Sequence, residues 1–414
     1  MGYNSTMNAK LFAWGVGVAA LSASLGAGAA PVVSDVVLTQ KSPNRLYIDY
    51  KLSEPAVVTF DVLTNGVSIG RELLENFTGD CRKVVRTESG RISWTGISHV
   101  WPDVVVPNKG MTAVVTAWAT NAPPDYMIVD LANTNVAWYA KEADIPGGTV
   151  LRDEYKTTKL VMRRIHAKGE TFRAGIKQSE TAAGYSTAQT PREITFTNDY
   201  YMGVFELTQK QWLLIRELGS GSFRRNGDKF PGCGFSYEGI RGSRTDYNFV
   251  RDGHKVPGGF FAQLRKLAHN ICFDLPTAAQ WEFACRAGTT TFYNNGKDFD
   301  IDEVAWTSEN WSGDATLEAN NIHEVGLKDP NRWGLYDCLG NVWELCVDRY
   351  TTDAAYYVDS IEPIGPADGD YGFRCGGGCG NNNTFARSAM RADQSMGSGN
   401  NANGFRVWCE CLAK

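Results

Sequence analysis

Along residues 30–130 the apolar positions recur with a period of two. Leu46, Ile48, Tyr50 and Leu52 alternate with polar neighbours, and Val58, Phe60 and Val62 repeat the pattern. Asn65-Gly66 then supplies a hairpin turn ahead of Val67 and Ile69. Met111 to Thr120 reads as a further strand. No run with helical period intervenes, so an all-β sandwich is predicted over 30–130. Breaks at Ala122-Pro123-Pro124-Asp125 and Pro146-Gly147-Gly148 mark a connector, placed at 131–155. A second domain is predicted over 156–414. It opens on a strand at Lys159–Ile165 and a longer extended run from Ile194 to Leu207. Thr208 with Gln211, and Thr277 with Gln280, have capping-box spacing and predict helix starts. Phe260, Leu264 and Leu267 mark another helix. The helix after Thr277 should run from Ala278 to Ala287 and stop at Gly288. Beyond it, strands, turns and loops dominate.

The densest pattern is Asn331 to Tyr350, NRWGLYDCLGNVWELCVDRY. Trp333, Leu335, Tyr336, Val342, Trp343 and Leu345 surround Gly334 and Gly340, with Asn331, Asp337, Asn341 and Glu344 interleaved. Glycine permits turns that other residues would strain, and the flanking aromatics would fix them in a core. Two readings fit the interleaved oxygens. They are ligands of a hard cation such as calcium, or they cap turns by accepting backbone N–H bonds.

Composition narrows the class. The chain has 414 residues, 43% hydrophobic and 12% aromatic, which suits two globular domains. A net charge of −5 gives no electrostatic case for nucleic acid or an anionic membrane. Lys10, the apolar stretch Leu11–Leu25 and Ala27-Gly28-Ala29 predict a signal peptide over 1–29, hence secretion or a place in the periplasm or cell envelope. The apolar stretch is too short and broken for a transmembrane anchor. Ten cysteines in an exported chain favour some disulfides, although the strongly apolar surroundings of Cys285 and Cys346 suit buried thiols. His99, His166, His254, His269 and His323 are scattered and lack ligand spacing.

Five segments in order resemble the sulfatase-modifying-factor family, whose type member is the formylglycine-generating enzyme. They are YMGVFELTQKQW (201–212), LPTAAQWEFACRAG (275–288), the 331–350 segment, RCGGGCGNNNTFARSAMR (374–391) and NGFRV (403–407). The resemblance implies an α+β fold, irregular and related to C-type lectins, following the N-terminal sandwich, which itself resembles immunoglobulin or fibronectin modules. Active family members use copper held by two cysteines to oxidise a sulfatase cysteine to formylglycine, and soft Cu(I) prefers thiolates. Matched through Gly376-Gly377, the active-site serine falls on Gly378 and the copper cysteines fall on Asn381 and Ala386. Copper oxidase chemistry is therefore not expected, and a relocated pair at Cys375 and Cys379 is less simple than a packing substitution at Cys379. The family's calcium loop maps onto Asp337, Gly340, Val342 and Glu344, so calcium is the implied cofactor. The scattered histidines argue against the iron-dependent relatives. Arg387, Arg391 and Arg406 match family arginines. They could form a binding rim for a peptide backbone or carboxylate, or an internal network with Glu282, Glu344 or Asp348; an irregular fold, which needs polar partners for its loops, favours the network. The asparagines Asn381-Asn382-Asn383, Asn400-Asn401 and Asn403 resemble those of retroelement-diversified binding proteins. The sequence thus implies a divergent binding protein for a protein, peptide or glycan ligand, with Asn381, Asn382, Arg387, Arg391 and Arg406 as binding residues. A formylglycine-generating oxidase and a retroelement-diversified binder are the alternatives.

Overall fold

The computed structural model describes residues 31–411 except 43–44, 70–76, 82, 96–109, 121–122, 134, 177–189, 217–222, 224–225, 243–258, 269–270, 311–321, 357, 359, 367–368, 398 and 401. The predicted signal peptide, His99, His254, His269 and Asn401 lie outside the described residues. The chain is mostly β and forms two compact units that divide between Pro123 and Pro124.

The N-terminal unit, as described, is all β. One sheet has the order Val33–Ser42, Arg45–Leu52, Ser89–Thr95, Phe77–Gly79. In the other, Ala56–Thr64 pairs with Val67–Ser68, Val84–Val85 and Met111–Ala119. The alternation explains both sheets. Leu46, Ile48, Tyr50 and Leu52 of one, and Val58, Val62, Val115 and Ala117 of the other, meet with Trp94 in a single buried cluster. Asn65 and Gly66 both take left-handed φ, +52° and +81°, as a two-residue hairpin turn requires.

The C-terminal unit is built on a six-stranded sheet in the order Asn135–Tyr139, Tyr126–Asp130, Lys159–Ile165, Tyr200–Gly203, Trp408–Glu410, Phe273–Asp274. Two of these strands come from residues assigned by sequence to the end of the sandwich and to the connector. Tyr126–Asp130 pairs with Lys159–Ile165 and Asn135–Tyr139 pairs in turn with Tyr126–Asp130, so both belong to the second unit. The extended run expected from Ile194 to Leu207 is broken. Arg192–Thr195 joins a separate three-stranded sheet and only Tyr200–Gly203 enters the large one.

Among the described residues the unit has four short α-helices: α1 (Gln209–Ile215), α2 (Tyr237–Arg241), α3 (Gly259–Leu267) and α4 (Ala278–Arg286). Both expected capping boxes are present, Thr208 with Gln211 and Thr277 with Gln280. α4 ends one residue early, because Ala287 turns left-handed at φ +46° ahead of Gly288. A four-stranded sheet, Arg391–Ser395, Tyr371–Cys375, Trp343–Arg349, Asn403–Gly404, brings the motif segments together.

Candidate functional site

The Asn331–Tyr350 segment folds as a series of tight turns leading into the strand Trp343–Arg349. Asn331 opens it. Its side-chain amide donates to Ala284 O and Cys285 O, capping carbonyls near the end of α4, while its Oδ1 accepts from the N–H groups of Trp333 and Leu335. Gly340 is obligatory: φ is +76°, and a Cβ there would lie 2.2 Å from Trp306 O. Asp337 and Asn341, at φ +54° and +52°, occupy the left-handed region that Asn and Asp tolerate best.

Behind these turns lies a buried polar centre. Glu344 is fully enclosed. Its Oε1 accepts from Arg406 Nη2 at 2.5 Å, and its Oε2 accepts from Arg406 Nε and from the Trp281 indole, each at 2.6 Å. Arg406 also donates to Gly203 O at 2.9 Å, Val204 O at 3.4 Å and Tyr336 O at 2.9 Å. Glu206, equally buried, accepts from Asn341 Nδ2 at 2.7 Å and from Val342 N at 3.1 Å. Asp337 accepts from Gly326 N through Oδ2 at 2.6 Å, and its Oδ1 is buried without a hydrogen-bond partner. Burial, reinforced by the neighbouring carboxylates, pushes Glu206 well above the usual carboxylate range. Asp337 is pushed up to about 6, again mainly by burial.

A second centre lies around Glu282 of α4. It pairs with Arg286 at 2.9 Å and Arg391 at 2.8 Å, and accepts from Gly175 N. Burial alone would raise its pKa, but the two guanidiniums outweigh burial and hold it below the normal value. Arg391 and Arg406 are therefore interior partners of Glu282 and Glu344, as the network reading required, and not a binding rim. Arg387 is buried too, donating to Thr384 O at 2.6 Å. Arg387 and Arg406 share a physical reason, whereas Arg391 serves the Glu282 carboxylate. Loops that run through the interior leave carbonyls without ladder partners, and arginine supplies several donors to them.

The glycine-rich loop beside the motif is tied to it. Cys379 N donates to Asn341 O, and Gly340 N donates to Gly376 O. Gly377 has φ +75°, and a Cβ would meet Phe385 O at 2.7 Å. Asn381 turns inward, its Oδ1 accepting from Trp343 Nε1 at 2.8 Å and Gly378 N at 3.2 Å. Asn383 accepts from the Thr307 hydroxyl. Asn382 is exposed, as is Phe385 at 40%. Arg374 stacks over Trp343, 4.6 Å from its ring centre. Ala386 is fully buried. Cys375 and Cys379 belong to separate apolar clusters, so they do not form a relocated pair. Cys375 lies 3.7 Å from Cys346, while Cys379 packs with Phe230, Cys233, Ile322 and Val342. All ten cysteines are thiols in this structure.

Of the described histidines, His166 is exposed and 3.0 Å from Asp125, and His323 stacks on Trp306 at 3.7 Å. Sequence reasoning missed Glu206 although it sits in the quoted 201–212 segment. The only signal was an acid inside the apolar run Val204-Phe205-Glu206-Leu207.

A mostly β domain with short capped helices, organised on the GNVWE turn and a C-terminal GFR arginine, defines the class. The family model described as "Sulfatase-modifying factor enzyme 1-like domain" matches residues 145–411. That is more than half of the chain, which belongs to this family. A protein named serine/threonine-protein kinase pkn1 from Chlamydia caviae is 27% identical over 62% of this chain and 39% of its own length. The formylglycine-generating enzyme of Streptomyces coelicolor is 31% identical over 30% of this chain and 44% of its own. The chain thus spans less than half the length of these two curated relatives. Treponema denticola variable protein 1, a solved structure, overlays with a TM-score of 0.47 at 21% identity, covering 61% of this chain and 95% of that one.

The family's calcium can now be tested against the donors. Calcium takes roughly six to eight oxygens at about 2.3–2.6 Å. Both oxygens of Glu344 are engaged by N–H donors, and Asp337 retains only Oδ1. Among the described residues no group of three or more His, Cys, Asp or Glu is arranged to hold a metal. The side chains as placed do not fit calcium.

Proposed function

We propose that this protein is an exported, catalytically divergent member of its family that binds a polar ligand, a peptide or a glycan, at the loop from Gly376 to Phe385. The observation that carries the reading is the chemistry of that loop. At the positions of the two copper cysteines stand Asn381, whose amide oxygen is committed to Trp343 and Gly378, and Ala386, which is buried and inert. Neither supplies a thiolate, and Cu(I) chemistry needs one. What the loop does present is a rigid scaffold with Asn382 and Phe385 outward. The Asn382 oxygen accepts from Thr384, which leaves its NH2 as a donor beside the exposed aromatic; a donor next to an apolar face suits recognition of peptide carbonyls or sugar hydroxyls. In this reading the N-terminal unit is an immunoglobulin-like spacer.

The test is a binding screen of the whole chain against peptide and glycan arrays, repeated with the double variant Asn382→Ala/Phe385→Ala. A hit weakened at least tenfold by the double variant is the expected result. A hit untouched by it removes the loop from the reading. Incubation with copper, oxygen and a Cys-x-Pro-x-Arg peptide provides the opposing outcome: an aldehyde product would establish the oxidase instead.

A further inference from the structure

We infer that Arg406 is the resident cation of the Asp337–Glu344 loop, and that the loop holds its fold without a metal ion. The guanidinium carries five N–H donors, and each has an acceptor. Nε and one Nη2 donor go to the two oxygens of Glu344; the other Nη2 donor goes to Tyr336 O; the two Nη1 donors go to Gly203 O and Val204 O. The positive charge thus sits in a shell of one bidentate carboxylate and three backbone carbonyls. Such a shell of oxygens is what a bound calcium would collect, drawn from the strand Tyr200–Gly203, the turn before Asp337 and the strand Trp343–Arg349.

Three further contacts close the centre to an ion. The Trp281 indole donates to Glu344 Oε2, so three of that carboxylate's four lone-pair sites, including both on Oε2, are taken by N–H donors. Val342 N and Asn341 Nδ2 point donors at Glu206, the acid nearest in chemistry to an extra ligand. Lys156 Nζ lies 3.4 Å from Gly326 O, whose own N–H is held by Asp337. An incoming divalent cation would have to displace N–H donors from Glu344 and strand a buried guanidinium, and an unpaired buried charge is costly.

The experiment is thermal melting of the full chain after dialysis into chelator and again in millimolar calcium, with terbium as a luminescent probe sensitised by the nearby tryptophans. The inference expects one melting midpoint in both buffers and no sensitised terbium emission. A midpoint lowered by chelator, or stoichiometric terbium uptake that calcium competes away, would overturn it. Arg406→Lys adds an independent readout. Lysine keeps the charge but cannot supply five donors in a planar fork. The variant should melt well below the parent in both buffers, and recovery of the parental midpoint on adding calcium would sink the inference. If Arg406→Lys does not fold in either buffer, the melts of the parent chain decide alone.

Discussion

The two units solve the same problem with different materials. Among the described residues of the N-terminal unit one polar side chain is buried, Thr59, and it accepts from the Trp118 indole. The C-terminal unit buries many, including Arg164, Arg241, Glu206, Asp274, Glu282, Glu344, Arg391 and Arg406. The difference follows from backbone regularity. Long paired strands such as Ala56–Thr64 with Met111–Ala119 satisfy each other's N–H and C=O groups, leaving side chains free to be apolar. Where the chain turns repeatedly inside the core, as from Asn331 to Asn341, carbonyls lack ladder partners, and side chains must reach them. Ion pairs are the cost-effective form of that reach only when fully bonded, because a half-satisfied buried charge is worse than none.

That contrast can be broken most forcefully at Glu344. Glu344→Ala strands Arg406 inside the domain and should lower stability by about 3–5 kcal/mol, enough to unfold the C-terminal unit in a denaturant melt. Retention of near-parental stability would mean that the polar centre is dispensable.

A smaller effect, with a sign that discriminates, is expected at Asp348. Its Oδ2 accepts from Ala278 N at the start of α4, and burial raises its pKa to about 6. The folded state therefore binds this proton more tightly than the unfolded state, whose value is near 3.8. Its stabilising contribution is complete below the unfolded value and is lost as pH rises through about 6. Asp348→Asn should remove this dependence, stabilising the chain at neutral pH relative to the parent by up to about 3 kcal/mol, with the advantage vanishing near pH 4. An advantage that instead grew on acidification would refute the assignment.

The cap at Thr277 comes next. Thr277→Ala deletes the acceptor for Gln280 N and should cost about 1 kcal/mol by equilibrium unfolding. The smallest change is expected in the N-terminal unit. Asp49 forms a two-pronged pair with Arg91, but both side chains are substantially exposed. Asp49→Ala should therefore cost under about 1 kcal/mol, and the cost should shrink as salt is added. A loss rivalling Glu344→Ala would erase the distinction between the units.

Much of this was legible along the chain. Period-two alternation and Asn65-Gly66 located Arg45–Leu52, Ala56–Thr64, Val67–Ser68 and Met111–Ala119, because a strand buried on one face has no other pattern available, but did not single out Val33–Ser42 or Ser89–Thr95. Capping boxes determined where α1 and α4 begin, since those bonds close within three residues. The ordered motifs determined the family. The N-terminal boundary was less legible: residues 126–130 read as the end of the sandwich and 135–139 as connector, and only the pairing of Tyr126–Asp130 with Lys159–Ile165, and of Asn135–Tyr139 with Tyr126–Asp130, assigned them to the second unit. The centre itself required tertiary structure. Sequence named Glu344 as a metal ligand, and Arg406, 62 positions away, as a binding rim or a partner of Glu282, Glu344 or Asp348, without choosing the pair. Folding brought them into one bidentate pair, recruited Glu206 from 138 residues before Glu344, and turned Asn381 inward to Trp343. Local pattern records which face of an element is buried. It does not record which buried charge meets which, because that depends on the packing of segments distant in the chain.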